Sequence, residues 1–414
     1  MTVINPSAAT EMFIKEHAAD NVHTLALLAS RYPDVDIHFA LSQIDGRQRA
    51  KVKLPTWSSI DDIYYPVHLS MEQCSSQQTA EYKYSLAKNL IDDNKKCISK
   101  STSFVDLTGG FGVDFSFISR AFSHAVYVEK QNTLCEIAKH NFNLLHLSQS
   151  EVVCGDGVEY LSNVNDADLF FIDPARRDSN GSKVVAISDC TPDVIQIKKL
   201  LLDKALYTLI KLSPMLDWHK AVDDLNKDSQ CVSQLHIVSV DNECKELLFV
   251  ITKEFTGNLQ IYCVNDDSNF DFTYDQNINQ SSTLELSELN NIETNNLYVY
   301  EPNASIMKSG CFGILENRYP VKAIGKNSHL FISSHNVDEF PGRKFVMDRV
   351  TTMNKKDLKK NLSEIEKANI TVRNFNMSVD ELRKRLKIRD GGDKYIFATT
   401  IADKQHVLLI CHKA

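Results

Sequence analysis

At 414 residues, with 43% hydrophobic and 24% charged residues, the chain has the composition of a soluble globular protein and the length of two to four domains. No run of about 18 apolar residues occurs, which excludes a membrane-spanning helix, and Met1-Thr2-Val3-Ile4-Asn5-Pro6 has neither the basic head nor the apolar core of a signal peptide. The net charge of −8 argues against nucleic-acid binding over the whole surface, yet Pro341–Ala414 carries 17 Lys and Arg against 9 Asp and Glu, so that this stretch is +8 and the remainder −16.

The N-terminal stretch, residues 1–95, reads as mainly helical. Thr10 is placed to cap a helix with Phe13, His17, Val22, Leu25 and Leu28 on one side, ending before Tyr32-Pro33. Lys51-Val52-Lys53-Leu54-Pro55 reads as a loop. A hydroxyl-rich turn with Ser75, Ser76 and Thr79 then feeds a helix.

Phe104-Val105-Asp106 ends a short apolar run, and Leu107-Thr108-Gly109-Gly110-Phe111-Gly112 turns at once into a helix opened by Val113 and Asp114. Strand, glycine turn and helix N-terminus bring backbone close to a nucleotide-like ligand. Ala125–Val128 is a second strand, ended by Glu129, 23 residues after Asp106. An acid at about that spacing is the ribose-hydroxyl ligand of doubly wound folds. Glu151–Cys154 is a third strand, closed by Gly155-Asp156, and Leu169–Ile172 a fourth, running into Asp173-Pro174-Ala175-Arg176-Arg177. Ligands in such sheets lie outside the carboxyl ends of the strands, so the four acids are expected to converge on one crevice. Tyr207–Leu212 is the fifth strand and includes Lys211. Leu235–Val240 and Lys245–Ile251 flank Asp241-Asn242-Glu243-Cys244 as a hairpin.

Residues 256–296 are rich in Asn, Asp and Ser and mark a boundary. Strands are expected at Leu259–Val264, Leu297–Tyr300 and His329–Ser334. The last stretch reads helix, strand at Ile370–Phe375, helix capped by Ser378, then strands at Lys394–Thr399 and His406–Cys411. Four regions follow: residues 1–95 helical, 96–256 an α/β domain, 257–336 a small α+β domain, and 337–414 a basic α+β domain. The ten cysteines lie singly, with no Cys-x-x-Cys pair. They read as free thiols of a cytoplasmic protein with no metal site.

The series from Asp106 to Asp173 with its closing hairpin resembles the class I S-adenosylmethionine-dependent methyltransferases, over residues 70–255. The resemblance implies a Rossmann-like seven-stranded sheet and S-adenosylmethionine as cofactor. On that likeness Asp106, Thr108, Gly110, Gly112 and Asp114 would cradle the methionine part, Glu129 the ribose and Asp156 the adenine amine. Ser75 and Thr79 would close over the methionine end, as the matching segment does in trimethylguanosine-cap synthases; an ordinary hydroxyl N-cap is the other reading. A dinucleotide is disfavoured because the turn lacks the Gly-x-Gly-x-x-Gly order and carries an acid that would repel phosphate.

Asp173, Pro174 and Arg176 are the candidate catalytic residues. Asp173-Pro174-Ala175-Arg176 resembles the Asp/Asn-Pro-Pro-aromatic motif of amine methyltransferases, without its aromatic. Arg176 offers a guanidinium plane for stacking or a phosphate contact. It also resembles the Asp-Pro-Pro-Arg of uracil-C5 enzymes, but the cysteine those need is absent from Lys211-Leu212-Ser213-Pro214. Arg177 and Lys211 are candidate substrate contacts, and for both arginines a salt bridge to Asp178 or a neighbouring acid is the competing reading. The C-terminal order resembles the THUMP-like domain of a Bacteroidetes-type methyltransferase family. It implies an RNA substrate held partly by Arg383, Lys384, Arg385 and Lys387, unless that run is only a solvated helix face. A protein substrate and a non-catalytic cofactor-binding role remain the alternatives.

Overall fold

The computed structural model describes residues 6–93, 101–176, 187–275, 297–401 and 405–414. The chain folds into two compact units, residues 1–235 with 246–257, and residues 236–245 with 258–414.

In the first unit a sheet is built from β1 (Ser103–Asp106), β2 (His124–Glu129), β3 (Ser150–Cys154), β4 (Ala167–Ile172), β7 (Ala205–Leu212) and β9 (Glu243–Ile251). Two short strands, β5 (Ala175–Arg176) and β6 (Cys190–Thr191), pair with each other beside it. β8 (Val232–Val240) precedes β9, and the strand order is β3-β2-β1-β4-β7-β9-β8. β1 to β4 and β7 run parallel, and β9 is antiparallel to β7. Parallel strands joined through helices are covered on both faces and read as continuous apolar runs. Leu169, Phe170, Phe171 and Ile172 are accordingly all buried. Asp241 and Asn242, both at positive φ, make the two-residue turn into β9, a conformation that suits the twist of paired strands.

The N-terminal helices belong to this unit. Ala50, Leu54, Trp57, Tyr65 and Met71 share one core with Phe111, Phe117 and Ile137, and Asn141 exchanges two hydrogen bonds with the Tyr64 backbone, at 2.9 and 2.8 Å. Two expectations fail here. Ser7, not Thr10, caps the first helix, Ala8–Glu16, which ends at His17; Asn21 caps a separate helix, Val22–Leu27. Thr10 is instead buried and accepts the Asp36 N–H at 3.0 Å. Lys51–Lys53 is the last turn of the helix Ile37–Lys53 rather than a loop. The break falls at Leu54 because Pro55 opens the next helix.

In the second unit, β10 (Gln260–Asn265) and β11 (Ser268–Thr273) form a hairpin. The remaining strands are β12 (Tyr298–Pro302), β13 (Lys322–Ala323), β14 (Phe331–Ser333), β15 (Gly342–Thr352), β16 (Asn369–Arg373), β17 (Lys394–Thr400) and β18 (His406–Lys413). They make one sheet in the order β13-β14-β12-β15-β18-β17-β16, antiparallel except between β16 and β17. β11 and the long β15 were not anticipated. β15 alternates apolar and charged residues only in part and breaks register between Met347 and Arg349, which hides its period of two. The stretches expected as two small domains both contribute strands to this sheet. No helix among the described residues is long and apolar enough to cross a membrane.

Candidate active site

The glycine turn is shaped by what lies beneath it. A Cβ on Gly109 would come within 2.2 Å of the Tyr127 ring, and the Tyr127 hydroxyl donates to the Gly110 carbonyl. Gly110, at φ +55°, turns its bare side to open space, with only the Thr108 carbonyl 3.7 Å from a would-be Cβ. Gly112, at φ +86°, starts the helix Val113–Ile118. Beside them Gly155 has no atom within 4 Å of its Cβ position. Gly109 and Gly112 are thus required by the side chains packed beneath them, while Gly110 and Gly155 leave bare backbone facing free space, where a ligand has room to approach.

Asp106 ends β1 fully buried and accepts the Thr108 N–H at 2.9 Å. Burial drives its pKa well above the usual carboxylate range. The Thr108 N–H opposes this, while Asp114, Asp173 and Glu129 add to it. Glu129 accepts the Gly110 N–H at 2.9 Å and the Gln131 N–H at 2.8 Å. Asp156 caps the helix Gly157–Asn163 by accepting from Val158 and Glu159. These backbone bonds, the Glu159 N–H first, hold its pKa below the ordinary value.

Asp173 follows β4. Its N–H donates to the Thr108 hydroxyl at 2.7 Å, and its Oδ2 lies 2.6 Å from Lys211 Nζ. Its side chain is 39% exposed, against near-complete burial of Asp106 and Asp114. Pro174 is buried. Arg176 lies on β5, paired with Cys190 on β6; Arg177 lies outside the described residues.

Asp114 is the hub of a buried ion cluster. Its Oδ2 accepts from Ser75 Oγ at 2.8 Å and lies 3.4 Å from Lys211, and its Oδ1 lies 3.2 Å from Lys83. Lys83 in turn reaches Glu246 Oε1 at 2.5 Å. Burial alone would raise the Asp114 pKa, but Lys83 and Lys211 hold it below the usual value. Burial also disfavours the charged form of Lys211, yet Asp173, Asp114 and Glu246 hold its pKa well above the ordinary lysine value. Glu246 is lifted by burial, against both lysines.

The structure thus gathers Ser75, Asp114, Lys211 and Asp173 into one contact network. Asp106 pairs with Thr108, which meets that network at the Asp173 N–H, and Glu129 pairs separately with Gly110. Thr79 is engaged in its own helix turn, its hydroxyl donating to the Ser76 carbonyl at 3.1 Å. Lys83 and Glu246 escaped the sequence reading. Glu246 carried a signal, since it opens the apolar strand Leu247–Ile251 and an acid there needs a partner. Lys83 carried none.

In the C-terminal basic run, Lys384, Arg385 and Lys387 are exposed. Arg383 is turned to structural use, donating to the Ala368 carbonyl at 3.2 Å and pairing with Asp390. Lys387 is the left-handed C-cap of the helix Val379–Leu386.

The carboxyl ends of the strands therefore gather a surplus of carboxylates over lysines beside open glycine backbone. Both features fit a ligand with cationic groups, such as a sulfonium and an ammonium. Among the described residues no group of three or more His, Cys, Asp or Glu is arranged to hold a metal ion.

The whole chain is similar to a Porphyromonas gingivalis W83 protein designated a candidate methyltransferase, at 32% identity over 98% of each chain, with a TM-score of 0.81. Residues 342–413 match a THUMP domain-like family, and residues 298–341 a ferredoxin-like domain family. A Streptococcus mutans protein, also a candidate methyltransferase and solved with S-adenosylhomocysteine, is 13% identical over 40% of this chain and 95% of its own, with a TM-score of 0.30. That likeness is too slight to carry an argument. No curated protein matches the chain.

Proposed function

The chain belongs to the methyltransferase family that the Porphyromonas protein represents, and from that premise we propose that it transfers a methyl group from S-adenosylmethionine to an amine of an RNA base. The observation that carries this reading is Asp173. It is a half-exposed carboxylate at the carboxyl end of β4, fixed through its backbone by Thr108 and through one oxygen by Lys211, beside the open glycine cradle.

Asp106, Thr108, Gly110, Gly112, Asp114, Ser75 and Thr79 would hold the methionine end, Glu129 the ribose and Asp156 the adenine. When bound, the cofactor supplies a methyl group on a positively charged sulfur that leaves neutral. The chain's own work is positioning. With Oδ2 held by Lys211, Asp173 keeps Oδ1 to accept an amine N–H, and the Pro174 carbonyl would take a second. Two acceptors fix the direction of the nitrogen lone pair, and such alignment can supply much of a rate enhancement. Asp173 is also the carboxylate in reach of the proton that the methylated amine must lose. Arg176 and Arg177, next along the chain, would meet the base or its phosphate.

The THUMP-like match supports RNA as the acceptor, and exposed Lys384, Arg385 and Lys387 would add phosphate contacts. The test is transfer of a tritiated methyl group to RNA from a strain lacking this gene, with total protein from the same strain in parallel. Label in RNA, recovered as an amine-methylated nucleoside, is the expected result. Label in protein alone, or none with the cofactor bound, would replace this reading with the protein-substrate or non-catalytic one.

A further inference from the structure

The side chains of Glu246, Lys83, Asp114, Lys211 and Asp173 form a row of alternating sign: Glu246 and Lys83 are 4% and 0% exposed, Asp114 and Lys211 10% and 12%, and Asp173 39%. Only its last member faces the acceptor side. Such a row costs much desolvation, and a buried ion pair can often be replaced by apolar residues at no loss of stability. Stability alone is a poor account of Lys83 and Glu246.

The distances suggest another. Asp114 stands between two lysines, 3.2 Å from Lys83 and 3.4 Å from Lys211, while Lys211 lies at 2.6 Å from Asp173. Lys211 can lean toward Asp173 because Asp114 is already served by Lys83 and by the Ser75 hydroxyl at 2.8 Å. Glu246, at 2.5 Å, keeps Lys83 in place. Without Lys83, Asp114 would keep its burial but have one cation left, and the attraction between unit charges at such distances in a buried site is large enough to redirect a flexible lysine.

We propose that Lys83 and Glu246 are positioning residues, which satisfy Asp114 so that Lys211 stays on Asp173 and fixes the acceptor carboxylate. This rests on the reading of Asp173 as the acceptor-side residue.

The test uses the full chain carrying Lys83→Met and Glu246→Leu together, so that neither charge is left alone. Its thermal midpoint should be held or raised, and its affinity for S-adenosylhomocysteine should stay within about threefold of wild type, while kcat on RNA from the gene-deleted strain falls about 10–100-fold. An unchanged kcat in the folded double variant overturns the proposal. A crystal structure of the double variant gives a readout independent of turnover: Lys211 Nζ is expected within about 3 Å of Asp114 and withdrawn from Asp173. Lys211 still seated on Asp173 overturns the positioning role whether or not RNA is the acceptor, whereas absence of methyl transfer by the wild type counts against the proposed function itself. If the double variant does not fold, Glu246→Gln, which keeps the shape and loosens Lys83, should lower kcat without changing cofactor affinity; equal loss of both overturns the proposal.

Discussion

Each unit buries a charge cluster, and the two are built with opposite surpluses. In the first, three carboxylates (Asp114, Asp173, Glu246) share Lys83 and Lys211, and Asp106 adds a fourth acid close by. In the second, one carboxylate, Glu301, is buried to 3% exposure between two arginines. Arg343 Nε donates to it at 2.9 Å and an Arg373 terminal nitrogen at 2.8 Å, and both arginines remain partly exposed. Lysine is a point charge that several acids can share, whereas the arginine fork is suited to one carboxylate or to a phosphate. The acid surplus suits a cationic ligand and the arginine surplus an anionic one.

The comparison can be broken first through Glu301. Removing the one anion leaves two arginines facing each other, and because both are partly exposed the cost is moderated by solvent: Glu301→Leu should lower unfolding free energy by about 2–3 kcal/mol in urea titrations. A loss below about 1 kcal/mol would make this cluster a surface feature, no different in kind from the many exposed pairs. Next comes Asp173→Ala. It should reduce turnover by about 100-fold, roughly 2.7 kcal/mol of barrier, with cofactor affinity little changed. Parallel loss of affinity would move Asp173 to the cofactor side.

A third, smaller effect concerns pH in the second unit. His236 is buried and stacked on the Tyr262 ring, centroids 4.4 Å apart and planes nearly parallel, and burial depresses its pKa from 6.5 to about 3. The unfolded chain takes up a proton below pH 6.5 that the folded chain refuses until about pH 3. The contribution is therefore complete above pH 6.5 and lost as pH falls. Between pH 7 and 5 it should amount to about 2 kcal/mol, and a His236→Phe variant should show that much less acid destabilisation in the same titration. The smallest effect expected is at the exposed basic helix. Replacing Lys384 and Lys387 with Gln should flatten the salt dependence of RNA affinity by about 0.7–0.9 for each phosphate no longer neutralised. It should act alike on all RNA sequences, since phosphate binding carries no base information. No change in slope would leave the arginines around Glu301 as the better candidates for holding an anion.

What could be read from the sequence follows from range. The strand ends carrying Asp106, Glu129, Asp156 and Asp173 were legible because each acid sits next to its own apolar run, and the strand order then brings the ends together. The basic helix was legible for its Ser378 cap, to which the structure adds the reciprocal Glu381 bond, but not for the diversion of Arg383 to Asp390 and the Ala368 carbonyl. Glu246 announced that it needed a partner, but the pairing with Lys83 was beyond reach because it spans 163 residues and nothing local distinguishes Lys83 from a solvated helix lysine. The split of the first helix was missed because Phe13 and Leu25 do share one core, so the apolar spacing survives a break in the backbone.

The Thr108 hydroxyl takes the Asp173 N–H at 2.7 Å while the Thr108 N–H binds Asp106, so one residue joins the ends of β1 and β4. The oxygen does this work and the methyl group does not, which narrows the drift that position 108 can tolerate over evolutionary time. Serine keeps the acceptor; valine, nearly identical in shape, leaves the Asp173 amide without a partner. In a saturation library selected on methyl transfer, position 108 should therefore sort by chemistry rather than by size.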